Sequence, residues 1–433
     1  MSRNLPLFIA FRLLFNARFY YPVFAVIQLD YGLTMSQFAI LNAVWAASII
    51  LLEVPSGALA DRIGRKRMVV LASVLMVCEI ALIAFVPLGN SMLVFWVWVV
   101  NRLLSGAAEA AASGADEALA YDSIPADERK KRWPEVLGRL MILSSLAFAA
   151  AMLIGAAVYD AGLVNRVLAW CGSELELSKQ TVIRFPIYLT LLTSLAALAV
   201  ACAMREPPQD TECGGETSIW GNVLGAGAWI LRTPVVMAII LAALVNDTVV
   251  RLFLTMNSEY YRLISFPDAS FGIIGACFAG IGIFVPKVAM RLVESQPAPR
   301  NYLLVSALTL LGLIGVAFAW PIYGVLVVVL FSFSFGLLNF FTSHYLNAEV
   351  DSARRATVLS FKGLALNIGF GTISLLYAGL LRGLRERGDL PASAASDPAF
   401  PASLPWLPVA FVAMSVPLFA YYWLKVRPTA ASQ

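Results

Sequence analysis

Apolar residues run along this chain in long blocks separated by short polar stretches. A membrane-spanning helix needs about 20 mostly apolar residues. Twelve blocks reach that scale, at roughly 5–28, 37–60, 68–89, 92–120, 138–160, 182–204, 234–255, 270–292, 301–319, 322–346, 357–381 and 405–425. The connections 29–36, 61–67 and the Pro87–Ser91 turn are tight, so the blocks they join are antiparallel neighbours. Longer hydrophilic stretches fall at 121–135, 161–181, 205–232, 347–356 and 382–404. The pattern predicts an all-α, polytopic membrane protein with twelve transmembrane helices in two six-helix bundles. The first bundle covers 1–204 and the second 233–433, with a linker at 205–232. That linker opens Arg205-Glu206-Pro207-Pro208. Further on, Ile219, Trp220, Val223, Leu224, Ala228 and Ile230 predict a short amphipathic stretch lying on the membrane surface. A six-plus-six layout suits two bundles related by a parallel repeat. Similarity between the halves is weak.

Composition agrees. The chain of 433 residues is 60% hydrophobic and 13% charged, against about 45–50% and roughly 25% in soluble domains. The net charge of +4 gives no footing for nucleic-acid binding. Placement of the charges says more. With the N-terminus inside, the inner segments hold roughly eighteen Lys or Arg and the outer ones roughly seven, as clustered basic residues on the cytoplasmic side require. Arg129, Lys130, Lys131 and Arg132 stand in a row on an inner loop. The outer loop 382–404 is an exception, with Arg382, Arg385 and Arg387. The five cysteines are scattered, with no metal-ligand spacing or disulfide framework. The first block carries Arg12 and Arg18 and lacks a small-residue cleavage site, so it is read as a retained helix.

Between the second and third blocks lies GALADRIGRKR, Gly57 to Arg67. Gly57, Asp61, Arg62, Gly64, Arg65 and Lys66 match G-x-x-x-D-R-x-G-R-[RK], the loop 2–3 signature of the major facilitator superfamily. In the fourth block, Arg102-Leu-Leu-Ser-Gly106 resembles the R-x-x-x-G core of that family's helix-4 motif. Helix count, linker and both motifs fall where the family places them, so the resemblance covers the chain. The runs LLEVPSGALAD and SGADEALAYD look like a bacterial efflux-type branch. The fifth block reads AAAMLIGAA at 149–157, without the proline that drug/proton antiporters of this family carry there.

The resemblance implies a gate. Glu53, Gly57 and Asp61 recur at steps of four and share one helix face, and Gly57 lets another helix come close. In the family this face meets the eleventh helix, which here begins near Thr357 and carries Lys362. Asp61 would sit at that helix's N-terminus, where the dipole favours an acid; Glu53 or Asp61 would face Lys362, and Arg65 would pair with Asp122. The plainer alternative is that Arg62 to Arg67 only anchor the topology.

An ionisable residue at membrane depth is costly and marks a functional candidate with a partner. The family lines its cavity with helices 1, 4, 7 and 10. Helix 1 offers Arg12, Asn16 and Arg18, with Arg12, Asn16 and Phe19 on one face. Helix 4 offers Arg102 and Glu109; Arg102 lies about 16 Å along from Ser91, near mid-membrane. Helix 7 offers Asp247 and Arg251, and helix 10 offers Asn339. Arg12, Asn16, Arg18, Arg102, Asp247, Arg251 and Asn339 are therefore candidate substrate residues, and Glu109, Arg102 and Asp247 candidates for proton coupling. Each has a plain alternative: Asp247 and Arg251 neutralise one another, Arg12 snorkels to the interface, and Glu109 forms a structural ion pair. Glu79 is read as structural because helix 3 is peripheral in the family.

The basic excess among these residues favours a substrate with an anionic group. The expected protein is a monomeric secondary transporter of a bacterial inner membrane with cytoplasmic termini. It exports a small organic solute against protons by rocker-switch alternating access and needs no cofactor or metal. Uptake or facilitated passage of a polar or anionic metabolite is the alternative. An enzyme is not expected: no Ser/His/Asp or metal cluster can be drawn, and no Walker motif is present.

Overall fold

The computed structural model describes residues 4–89, 91–125, 127–206, 227–282, 284–350, 352–388 and 397–427. Regular elements among the described residues are helical. Eleven helices there are long and apolar enough to cross a membrane, and they match the second to twelfth predicted spans. The amphipathic linker stretch at 219–226 lies outside the described residues.

The first span differs from expectation. It is a helix over Asn4–Asn16, a 3₁₀ turn over Tyr21–Val23 and a second helix over Phe24–Asp30. Arg12 and Asn16 therefore share a helix that Phe19 does not, and the predicted common face ends at Asn16. The cause is Pro22, which has no N–H to donate to the Arg18 carbonyl four residues earlier; that carbonyl accepts instead from Tyr21 N–H at 3.1 Å, in a 3₁₀ pattern. At membrane depth the freed backbone groups need partners. The sixth span, Phe185–Ala203, supplies them. Thr190 Oγ1 accepts from Phe19 N–H at 3.0 Å, and Thr193 Oγ1 donates to the Ala17 carbonyl at 3.2 Å. The fifth span, Arg129–Tyr159, brings Gly155 so close that a Cβ there would lie 1.8 Å from the Phe19 carbonyl oxygen. The small-residue run of that span is what admits the break.

The second span, Met35–Ile63, starts on a capping box: Thr34 Oγ1 accepts from Gln37 N–H, and Gln37 Oε1 accepts in return from Thr34 N–H. It ends at Gly64, whose φ of +96° suits glycine. The third span, Arg65–Phe85, begins at once. The fourth runs Ser91–Ala112 and continues as a short helix, Ala115–Asp122. Serines stitch it to the second span, Ser48 donating to the Leu103 carbonyl and Ser56 to that of Ala110, both at 2.8 Å.

Packing divides the chain into two units, Met1–Cys213 with Phe266–Ala279, and Gly214–Ser265 with Gly280–Gln433. The segment 266–279 joins the first unit through polar bonds. Lys179 Nζ sits 3.2 Å from both Asp30 and Asp268, and Asp160 accepts from Ala269 N–H at 3.2 Å. The second unit holds spans seven (Pro234–Thr255), nine (Ala298–Ala317), ten (Gly324–Glu349), eleven (Ser352–Arg387) and twelve (Trp406–Tyr421). Its core includes Ile239, Ile240, Val305, Leu337 and Phe341. Arg385, one of the three arginines expected on an outer loop at 382–404, pairs with buried Asp397, which also accepts from Ala399 N–H. That arginine serves the loop's own structure, not its topology.

Candidate functional site

Breaking the first span turns Arg18 into the interior, where it is 2% exposed. Its Nη1 lies 2.6 Å from Glu79 Oε1 and donates to Tyr20 Oη at 3.1 Å, while Nη2 lies 3.4 Å from Glu109 Oε1. Glu79, on the third span, has no exposed surface. Its second carboxylate oxygen has no hydrogen-bond partner among the described residues. Glu109, on the fourth span, keeps 37% of its side chain exposed. One buried cation is thus shared between a sealed acid and an accessible one. Sequence reasoning found Arg18 and Glu109 but set Glu79 aside; the signal was its ionisable side chain at mid-span. A cavity of about 290 Å³ beside the break is lined by Asn16, Tyr21, Ser144 and Phe148 among others.

Arg102 is 5% exposed and lies over the rings of Phe24 (5.1 Å) and Trp98 (5.6 Å). Its Nε donates to Asn101 Oδ1 at 3.1 Å, and the Asn101 amide donates to the Glu79 carbonyl at 2.8 Å. Arg102 Nη2 is buried and without a hydrogen-bond partner among the described residues. Arg102 and Glu109 are seven residues apart, two turns along one face.

The rest of the predicted set divides by location. Arg12 pairs with Asp116 (3.2 Å) and Glu117 (2.9 Å) on the short helix that follows the fourth span. Asn16 and Asn339 are exposed and donate to their own helix backbones, at Arg12 and Phe335. In the second unit, Arg251 pairs with Asp247 one turn away, and its Nη1 donates to Asn367 Oδ1 at 3.0 Å. Lys362 lies within electrostatic reach of Asp247.

At the loop between spans two and three, Arg65 pairs with Asp122, and Arg129 reaches the same acid at 3.8 Å. Sequence reasoning missed Glu206. Its carboxylate accepts from Arg65 N–H (2.9 Å) and Lys66 N–H (2.8 Å), capping the third span's N-terminus from 140 residues away. A Cβ on Gly64 would stand 3.1 Å from a Glu206 oxygen, so this glycine serves both the turn and the cap. Arg62 and Gly57 are exposed and Glu53 is half-buried; the Asp61 side chain lies outside the described residues.

A family model described as Major Facilitator Superfamily matches residues 7–374. A search of curated proteins found no match. Among solved structures, the fold is similar to the nucleoside transporter NupG at TM-score 0.71 and 13% identity, over 98% of this chain and 99% of that one. It is also similar to a bacterial homologue of the human lysosomal transporter Spinster, inward-facing and unoccupied, at TM-score 0.68 and 15% identity over 98% and 96%. A D-xylose-proton symporter matches at TM-score 0.65 and 13% identity over 95% and 96%.

Proposed function

Because the chain belongs to the Major Facilitator Superfamily, and so is a multi-pass membrane transporter of a small molecule, we propose that it is a proton-coupled secondary transporter of the bacterial inner membrane, with both termini cytoplasmic. It exposes a central site alternately to the two sides. The observation that carries the proton coupling is the sharing of Arg18 between Glu79 and Glu109. Two arginines, Arg18 and Arg102, balance these two acids. A proton on Glu109 removes one negative charge and leaves the set net positive; its loss restores balance. Arg102, with an unpartnered buried nitrogen, is the group that meets the substrate. Asp247 and Arg251 form the corresponding pair in the second unit. The loop 57–67, with Asp61 and its expected partner Lys362, serves as the inner latch.

Efflux of a small organic compound in exchange for protons is the first reading, supported by the efflux-type runs around Gly57 and Asp116. The charge balance favours a second, in which an anionic solute and a proton enter together. A site made positive by protonation holds an anion better, so the two ligands assist rather than displace one another. One structural neighbour is named as a D-xylose-proton symporter, a coupling of that sign. Flux in proteoliposomes under an imposed pH gradient separates the two by sign. Glu109→Gln is expected to abolish gradient-driven flux while keeping exchange at zero gradient. Gradient-driven flux unchanged in Glu109→Gln would remove the proton role.

A further inference from the structure

The second unit holds a groove of about 430 Å³ that the transport reading does not use. Its lining is mostly apolar, with Ala238, Ile239, Leu303, Leu418 and Phe419, and also takes in Arg300, Glu349 and Trp423. All the elements that form it finish at one membrane face. Pro234 starts span seven, Ala298 starts span nine, Glu349 ends span ten, and Tyr422–Val426 prolongs span twelve. The charge bias assigns that face to the cytoplasm. Leu303, Phe419 and Trp423 are 54%, 42% and 54% exposed, so one side of the groove opens toward the bilayer. Apolar surface in that position is covered by hydrocarbon rather than water.

The charged lining residues add selectivity. Span twelve ends in a π-helical turn over Tyr422–Val426, a rare geometry often found at functional positions. It sets Trp423 against the groove, and the Arg427 guanidinium lies 3.9 Å over the Trp423 ring. Tryptophan at this depth is an interfacial anchor. Arg300 lines the same groove as Trp423. Two planar guanidiniums suit the paired oxygens of a phosphate, and Glu349 is the acid in the lining that offsets them. We propose that this groove is a binding site for an anionic phospholipid, one acyl chain filling the apolar wall and the phosphate held by Arg300 and Arg427.

Native mass spectrometry of the full-length protein in detergent, titrated with phosphatidylglycerol or phosphatidylcholine of matched chains, tests it. Two arginines less one glutamate, at about 1 kcal/mol each, give roughly a five-fold preference for phosphatidylglycerol. Arg300→Ala or Arg427→Ala is expected to erase that preference, and Glu349→Gln to raise it to about 30-fold. Ala238→Trp, which fills the wall, is expected to lower retention of both lipids. Equal retention of the two lipids by the unaltered protein would overturn the proposal. So would a preference that survives both arginine substitutions, or retention untouched by Ala238→Trp. The measurement reads lipid alone, so its outcome is separate from that of any flux assay.

Discussion

Replacing Arg18 with methionine would leave Glu79, which has no exposed surface, without its cation. The two charges stand 2.6 Å apart. With an effective dielectric constant near 20, that separation corresponds to a gross attraction of about 6 kcal/mol, most of it spent against desolvation of both ions. Removing one partner of a buried pair costs about 3–5 kcal/mol, because the other charge stays buried and unpaired. Glu109 adds less, since it stands 3.4 Å from the guanidinium against 2.6 Å for Glu79. Arg18→Met alone is therefore expected to lose about 3–5 kcal/mol. The double change Arg18→Met with Glu79→Gln removes both charges and should recover about 2 kcal/mol of that loss. Equilibrium unfolding of the four proteins in mixed micelles, followed by tryptophan fluorescence against rising SDS, gives the cycle. Losses that simply add, within about 0.5 kcal/mol, would refute the pairing of Arg18 with Glu79 as a stabilising unit.

Gly155→Val puts a side chain where the Phe19 carbonyl already lies. It should cost about 1–3 kcal/mol or more, seen as a lowered Tm, whereas the same change at Gly138, which has open space around it, should be mild. Glu206→Ala removes the cap on the third span and should cost about 1 kcal/mol; Gly64→Ala at φ +96° should cost about 1–2 kcal/mol. Both are readable as Tm shifts, and a silent Glu206→Ala would show the cap to be incidental. Arg385→Ala strands the buried Asp397 carboxylate and should cost about 3–5 kcal/mol. Asp397→Asn on that background should restore part of the loss in the same melt.

Much of the architecture was open to reading along the chain. Bilayer-length apolar runs are set by composition over about 20 residues, and such runs need no tertiary knowledge to count. The loop signature, the Arg65–Asp122 pair and the one-turn neutralisation of Asp247 by Arg251 followed from motif and helical spacing. The break in the first span did not, although Pro22 was in view. Counting apolar residues ignores the i→i−4 ladder, and a break inside a membrane survives only if other helices satisfy its backbone. Thr190 and Thr193 do so from span six, and Gly155 on span five leaves room for the displaced backbone.

The partners of the buried charges were likewise decided by the fold. Glu79 meets Arg18 across 61 residues, Glu206 caps Arg65 across 141, and Lys179 holds Asp268 across 89. A sequence determines where charge must be costly, because hydropathy and helical period are local properties. Which acid answers which base depends on how each helix is rotated about its axis and which neighbour it packs against, and those are settled only when all the helices pack together.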